Sequence, residues 1–276
     1  MKKRMLALVM CVVMAMGLLA GCGSKDEQAS GGAASGSNAQ KKTFTVGFDA
    51  AFPPYGYQDE NGEYVGFDLD LAAEVCARNG WELVKQPIDW DSKDMELNSG
   101  AIDCIWNGFT MSEERLSQYA WTEAYVDNSQ VFVVKADSGI ESKSDLKDKN
   151  VLVQADSSAL EALNSDDNKA LKDSFANLDE VPEYNTAFLN LEAGSGDAIA
   201  MDIGVAKYQI ESRGADKFVM LTDKLATEQY GVGFKLDNTA LRDTVQKTLK
   251  EMVKDGKFAE IAAKWELTDA VCLTAE

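Results

Sequence analysis

The stretch Leu97-Asn98-Ser99-Gly100-Ala101-Ile102-Asp103-Cys104-Ile105 returns later in the chain as Leu191-Glu192-Ala193-Gly194-Ser195-Gly196-Asp197-Ala198-Ile199. Leu, Gly, Asp and Ile recur at the same offsets. Each copy reads as the end of a helix, a glycine that closes it, and a strand entered through an aspartate. A helix-to-strand unit used twice predicts two lobes of similar construction. Each unit leaves a polar residue just past its strand, Asn107 in the first and Asp202 in the second. Ligands of open α/β sheets bind beyond the carboxyl ends of the strands, so two such ends facing one another make a cleft.

Outward from these units the alternation continues. Residues 43–48 (Thr-Phe-Thr-Val-Gly-Phe) alternate and read as a strand. Phe52-Pro53-Pro54-Tyr55 is a loop, because two prolines cannot sit inside a helix. Asn61-Gly62 marks a hairpin turn. Asp68 is the expected cap of a helix with Leu69, Ala72, Ala73 and Cys76 on one face, ended by Asn79-Gly80. Residues 81–87 read as a strand, 90–98 as a helix and 102–106 as a short strand. Further on, 131–134 and 151–153 read as strands, and Ser157 or Ser158 caps a helix through Leu163. Tyr230-Gly231-Val232-Gly233-Phe234 reads as one glycine-interrupted strand. An amphipathic helix then carries Leu241, Val245, Leu249 and Met252 on its apolar face, and a shorter one runs from Phe258 to Trp265. Strand–helix–strand alternation of this kind predicts an α/β fold.

The chain has 276 residues, 46 acidic and 27 basic, for a net charge of −19. Such a charge repels phosphate backbones and excludes nucleic acid as a partner. There is no histidine, which excludes Ser-His-Asp and Cys-His catalysis and most zinc sites. No metal and no cofactor is implied, and the residues point to binding and not to an enzyme. No Gly-x-x-x-x-Gly-Lys-Ser/Thr loop is present, so any ATP hydrolysis belongs to a partner.

The N-terminus reads as an address. Lys2, Lys3 and Arg4 precede an apolar run from Met5 to Ala20, short for a membrane span and suited to a secretory signal. Leu19-Ala20-Gly21-Cys22 resembles a bacterial lipobox. That resemblance implies a lipoprotein signal over 1–21 and a lipidated Cys22 that anchors the chain to the outer face of the cell membrane. Residues 22–42 are Gly/Ser/Ala-rich and read as a flexible tether, spanning roughly 25 Å root-mean-square. Without the three basic residues of the signal the net charge is −22. Cys76, Cys104 and Cys272 remain. An odd number permits one disulfide and one free thiol, or three buried thiols.

Several short motifs then fall in one order. They are Val46-Gly47-Phe48-Asp49 with Phe52-Pro53-Pro54-Tyr55; Gly66-Phe67-Asp68-Leu69-Asp70-Leu71; Gly100-Ala101-Ile102-Asp103; Thr110-Met111-Ser112-Glu113-Glu114-Arg115; and Asp-Gly-Lys-Phe followed by Lys264-Trp265. Together, over about residues 43–267, they resemble the extracellular amino-acid-binding proteins of ABC importers, solute-binding family 3. The resemblance implies a type II periplasmic-binding fold: two α/β lobes joined by a two-stranded hinge, with the ligand cleft between them. Lobe 1 would be 43–128 plus 226–276 and lobe 2 would be 129–225, with crossings near Asp127–Val131 and Leu225–Gly231. It also implies a monomer, a free L-amino acid as ligand and ABC permease subunits as partners.

The resemblance assigns the site residue by residue. Arg115 aligns with the arginine that grips the ligand carboxylate, a task a guanidinium fork performs with two parallel bonds. Thr110, Asn107 and Gly108 would assist, with Ser158 from the second lobe, and Asp202 would receive the α-ammonium. Asp49, Phe52 and Trp90 would surround the ligand side chain, with Asp156 as a second acid and Gln154 as a weaker candidate. An aromatic pair with a carboxylate suits a cation. Arginine, lysine, ornithine or histidine is expected, with glutamine and cystine as competitors. The alternatives are an amino-acid sensor that feeds no permease and a dehydratase-type enzyme on the same fold.

Overall fold

The computed structural model describes residues 42–276. The expected signal peptide, Cys22 and all but the last residue of the expected tether lie outside the described residues. From Thr43 the chain forms β1 (Thr43–Phe48), then a small antiparallel sheet of β2 (Ala51–Phe52), β3 (Gly56–Gln58) and β4 (Tyr64–Val65). Helix α1 (Phe67–Asn79), β5 (Glu82–Pro87), α2 (Lys93–Ser99), β6 (Cys104–Ile105) and β7 (Tyr119–Trp121) follow. The chain then crosses into a second sheet through the long β8 (Val126–Lys135). That sheet grows with β9 (Asn150–Gln154), α3 (Ser158–Asn164), α4 (Lys169–Lys172), β10 (Asn177–Val181), α5 (Tyr184–Ala193), β11 (Ala198–Asp202), α6 (Ile203–Arg213) and β12 (Phe218–Met220). It returns through β13 (Ala226–Tyr230) to β14 (Gly233–Lys235), α7 (Thr239–Asp255) and α8 (Lys257–Lys264).

The first sheet has the order β5-β1-β6-β14-β7, the second β10-β9-β11-β8-β12 with β13 on β8. In each, the inner strands are parallel (β1 with β5 and β6; β9 with β10 and β11) and the returning strands antiparallel. The sequence echo is a structural one. Gly100 and Gly194 both close their helices in the left-handed region, at φ 81° and 75°. Asp103 accepts from the Thr45 N–H at 2.7 Å and Asp197 from the Asn150 N–H at 2.8 Å. Each aspartate thus bonds the backbone of the parallel strand beside its own, β1 in the first lobe and β9 in the second.

β8 and β13 pair antiparallel from Val126↔Tyr230 to Gln130↔Ala226 and form a two-stranded ribbon continuous with the second sheet. Passage to the first sheet falls at residues 122–125 and 231–232. Tyr230 to Phe234 is therefore two strands in two sheets and not one, broken where Gly231 and Val232 carry the crossing. The backbone passes close under two side chains at Gly231, where a Cβ would lie 2.6 Å from Met111 Sδ and 3.1 Å from Trp121 Cε3. The C-terminal segment runs along the ribbon, Asp127 donating to the Ala270 carbonyl at 2.7 Å and Cys272 to that of Tyr125 at 3.0 Å.

The apolar face of α7 is buried at Leu241, Val245, Leu249 and Met252, as its period requires. On α1 the buried face is Leu69, Leu71, Ala72, Val75 and Cys76, while Ala73 faces solvent. Asp68 does not cap α1. The helix starts one residue earlier, and Asp68 is fully buried, accepting from the Gly108 N–H at 2.7 Å and the Tyr125 hydroxyl at 2.8 Å. It ties the start of α1 to the cleft loop and to the crossing, and burial raises its carboxyl to about 7. Cys76, Cys104 and Cys272 are all free thiols, the first two buried.

Candidate functional site

Between the two sheets lies a narrow cleft, closed down to a cavity of about 10 Å³, lined by Phe52, Trp90, Asn107, Gly108, Thr110, Arg115, Gln154, Ser157, Ser158 and Asp202. Local geometry explains why these residues meet. Asn107 to Thr110 leave the end of β6, and Thr110 bridges to Tyr230 of β13. Gly108 has φ 57°, and a Cβ there would lie 2.8 Å from Phe52 Cε1, so the loop admits only glycine so close to the aromatic wall. Ser157 caps α3, its hydroxyl accepting from the Leu160 N–H at 3.2 Å, which turns Ser158 toward the first lobe. Asp202 ends β11, at the position the sequence echo marks.

Arg115 is almost fully buried, with its guanidinium carbon 5.3 Å from the centre of the Phe109 ring. Its Nη2 donates to the Asp156 carbonyl at 3.1 Å and lies 3.6 Å from Glu161. Most of its five donors stay available for a carboxylate. Asp202 Oδ1 accepts from the Tyr230 hydroxyl at 2.6 Å and from Asn128 and Gln130 at 2.7 Å each. Burial first, and then the neighbouring charge of Glu228, raise its carboxyl to about 7.

Nine of the eleven residues named above for the ligand, the weaker candidate Gln154 included, line this cavity; Asp49 and Asp156 do not. Asp49 sits behind the lining, buried, accepting from the Ala51 N–H at 2.8 Å and from Gln154 Nε2 at 2.7 Å. Burial raises its carboxyl to about 6. Gln154 is thus the lining group through which Asp49 meets the cavity. Asp156 is turned away: its φ is 54°, and its carboxylate bonds Lys93 Nζ at the rim of the cleft. Lys93 is itself buried, 5.2 Å from the Trp90 ring centre, and burial lowers its pKa.

Three polar residues of the site escape the sequence reading. Glu228 Oε1 lies 2.8 Å from Thr110 Oγ1, 2.6 Å from Asn128 Nδ2 and 2.8 Å from Gln130 Nε2. Asn128 and Gln130 sit on β8 in phase with Val126 and Phe132, so they break an inward apolar alternation. That interruption is the signal available in the sequence. The lobes also meet at Thr110–Ser158 (3.1 Å) and Tyr208–Tyr57 (3.1 Å), so the cleft is shut.

Two α/β lobes on a two-strand hinge, with a buried arginine from one facing a buried acid from the other, define a binding protein for a small zwitterion. The chain belongs to the bacterial extracellular solute-binding proteins, family 3, whose model matches residues 44–268. It is 30% identical over 268 residues to the arginine-binding extracellular protein ArtP of Bacillus subtilis, covering 96% of this chain and 98% of that one. It is 28% identical over 231 residues to the L-cystine-binding protein TcyJ of Escherichia coli, covering 82% and 83%. A substrate-binding protein of an ABC uptake transporter from Streptococcus pneumoniae, solved with bound histidine, superposes with a TM-score of 0.78 at 36% identity, over 81% of this chain and 92% of that one. The fold is the type II periplasmic-binding fold, and the chain is an extracytoplasmic amino-acid-binding protein of an ABC importer.

Proposed function

We propose that the amino acid is cationic, with arginine, lysine and ornithine as the leading ligands, and that lobe closure around it presents the protein to the permease. The carrying observation is the imbalance of charge at the cavity. Arg115 is its one lining cation among the described residues, against Asp202 in the lining, Glu228 bonded to Thr110 and Asp49 behind Gln154. The zwitterion's carboxylate answers Arg115 and its ammonium answers the acids at Asp202. Asp49 is left for the side chain, beside Phe52 and Trp90. An arginine-binding relative supports this choice, and cystine-binding and glutamine-binding relatives mark the competitors.

Isothermal titration of the purified, ligand-stripped protein with L-arginine, L-lysine, L-ornithine, L-histidine, L-glutamine and L-cystine tests it. Tighter binding of arginine, lysine or ornithine than of glutamine and cystine is expected, with Asp49→Asn reducing that preference at least tenfold. Preference for glutamine or cystine in the wild type would refute the cationic assignment. We also propose that Cys22 carries the lipid that holds the body at the membrane. Release of the protein from membranes by Cys22→Ala tests the anchor.

A further inference from the structure

The hinge strand β13 carries an acid that no part of the carboxylate-and-ammonium scheme requires. Glu228 Oε1 and Asp202 Oδ1 both accept from the same two amide nitrogens, Asn128 Nδ2 and Gln130 Nε2, at 2.6–2.8 Å. The two carboxylate oxygens are therefore at most two hydrogen-bond lengths apart. Among the described residues no lysine or arginine pairs with either: Arg115 pairs with Glu161, and Lys93 with Asp156. The donors onto the two acids are all neutral, the amides of Asn128 and Gln130 and the hydroxyls of Thr110, Ser158, Tyr184 and Tyr230, and the buried side-chain oxygens of Asn128 and Gln130 have no partner. The titratable groups facing Asp202 are Glu228 and Tyr230 from β13, Tyr184 from α5 and Tyr55 from the loop after β2. All three tyrosines are held neutral by burial. None supplies a positive charge.

We propose that Asp202, set beside the Glu228 carboxylate with no cation between them, holds a proton in the empty protein, and that the ligand's α-ammonium takes the place of that proton. This rests on the amino-acid reading given above and adds Glu228 to the amine pocket as its second acid. Two adjacent carboxylates do not both ionise without a counter-cation. The exchange balances: a pair of charge −1 loses H⁺ to solvent, becomes −2, and meets the –NH3⁺ of the ligand, whose own bonds do not change. Burial and the Glu228 charge, which raise Asp202 to about 7, act in the same direction. Binding then releases about one proton below neutrality, and affinity falls roughly tenfold for each pH unit below the titration of Asp202. Asp49, at about 6, titrates in the same range from the far end of the cavity. The Glu228→Gln variant separates the two contributions, because it alters only the pair.

Two measurements test the proposal. In the ligand-free protein, carbon-13 NMR of aspartate and glutamate carboxyls follows the pair directly. One cleft carboxyl, assigned by its loss in Asp202→Asn, is expected to titrate near neutrality and to move to lower pH in Glu228→Gln. Titration calorimetry with L-arginine in two buffers of different ionisation enthalpy then counts protons at pH 6.5. About one is expected to leave on binding to the wild type, and less than half as many from Glu228→Gln. Arginine binding without proton release, or equal release from wild type and variant, overturns the exchange and leaves the amino-acid reading intact. Absence of the near-neutral carboxyl overturns the proton on Asp202. If that carboxyl is present but none of the twenty amino acids, ornithine or cystine binds, the amino-acid reading falls, and the ammonium exchange falls with it.

Discussion

Arg115→Ala is expected to remove amino-acid binding without unfolding the protein, and its magnitude follows from the arginine's surroundings. The guanidinium is buried and fixed from behind by the Phe109 ring at 5.3 Å and by the Asp156 carbonyl at 3.1 Å. A carboxylate in the cavity therefore meets donors already aimed at it. Two hydrogen bonds to a charged group are worth about 1.5–3 kcal/mol each, or about 3–6 kcal/mol together. That corresponds to a loss of roughly 100- to 10,000-fold in Kd. Arg115→Lys restores a charge but not the fork, so an intermediate loss is expected. The fold should persist, because the Trp121 indole donates to the backbone carbonyl of Arg115 and not to its side chain. Calorimetric titration with L-arginine gives the affinity, and circular dichroism confirms the fold. A folded Arg115→Ala protein that binds within threefold of wild type would show that the carboxylate lies elsewhere and would refute the site.

Three other outcomes are expected. A Cβ on Gly204 would lie 2.5 Å from the Tyr55 hydroxyl of the opposite lobe, so Gly204→Ala should weaken L-arginine binding about tenfold or more with little change in the ligand-free Tm. Equal affinity would show that closure does not bring these groups together. Lys93→Met removes an ion pair across the cleft but keeps the apolar stem; since the Asp156 side chain is half exposed, a cost of about 1 kcal/mol, or roughly fivefold in Kd, is expected by titration, and a larger fall in Tm than in affinity would refute the role in closure. Finally, Asp49, Asp68 and Asp202 have carboxyls raised in the folded state to about 6, 7 and 7. The folded protein then binds more protons than the unfolded one between about pH 4 and 7, so ligand-free stability should fall as pH rises through that window and level off above it. Urea unfolding at pH 5, 6, 7 and 8 checks the sign, and Asp68→Asn should flatten the slope.

The readable part of the site was the part carried by short contiguous motifs. Arg115, Thr110, Asn107, Gly108 and Asp202 each follow a strand end or a turn signal that neighbouring residues define, and all line the cavity. Asp156 illustrates the opposite case. Its place beside Ser157-Ser158 suggested a ligand contact, yet a left-handed backbone turns its carboxylate outward to Lys93, a residue far away in sequence. Asp68 has the look of a helix cap, but a fully buried carboxylate bonds whatever donors the fold delivers, here Gly108 and Tyr125.

Sequence alone determined the two-lobed α/β plan, because period, cap and glycine act over a few residues and the repeated helix-to-strand unit wrote the same local rule twice. It also determined which long helix face is apolar. Tertiary structure decided where the chain changes sheets, since the alternation of Tyr230 to Phe234 is the same whether one sheet or two receives it. It decided as well that Asn128, Gln130, Glu228 and Asp202 share one buried network. Those four residues come from three separate strands. The energy of such a network depends on distances of under 3 Å between groups whose spacing along the chain carries no record of them.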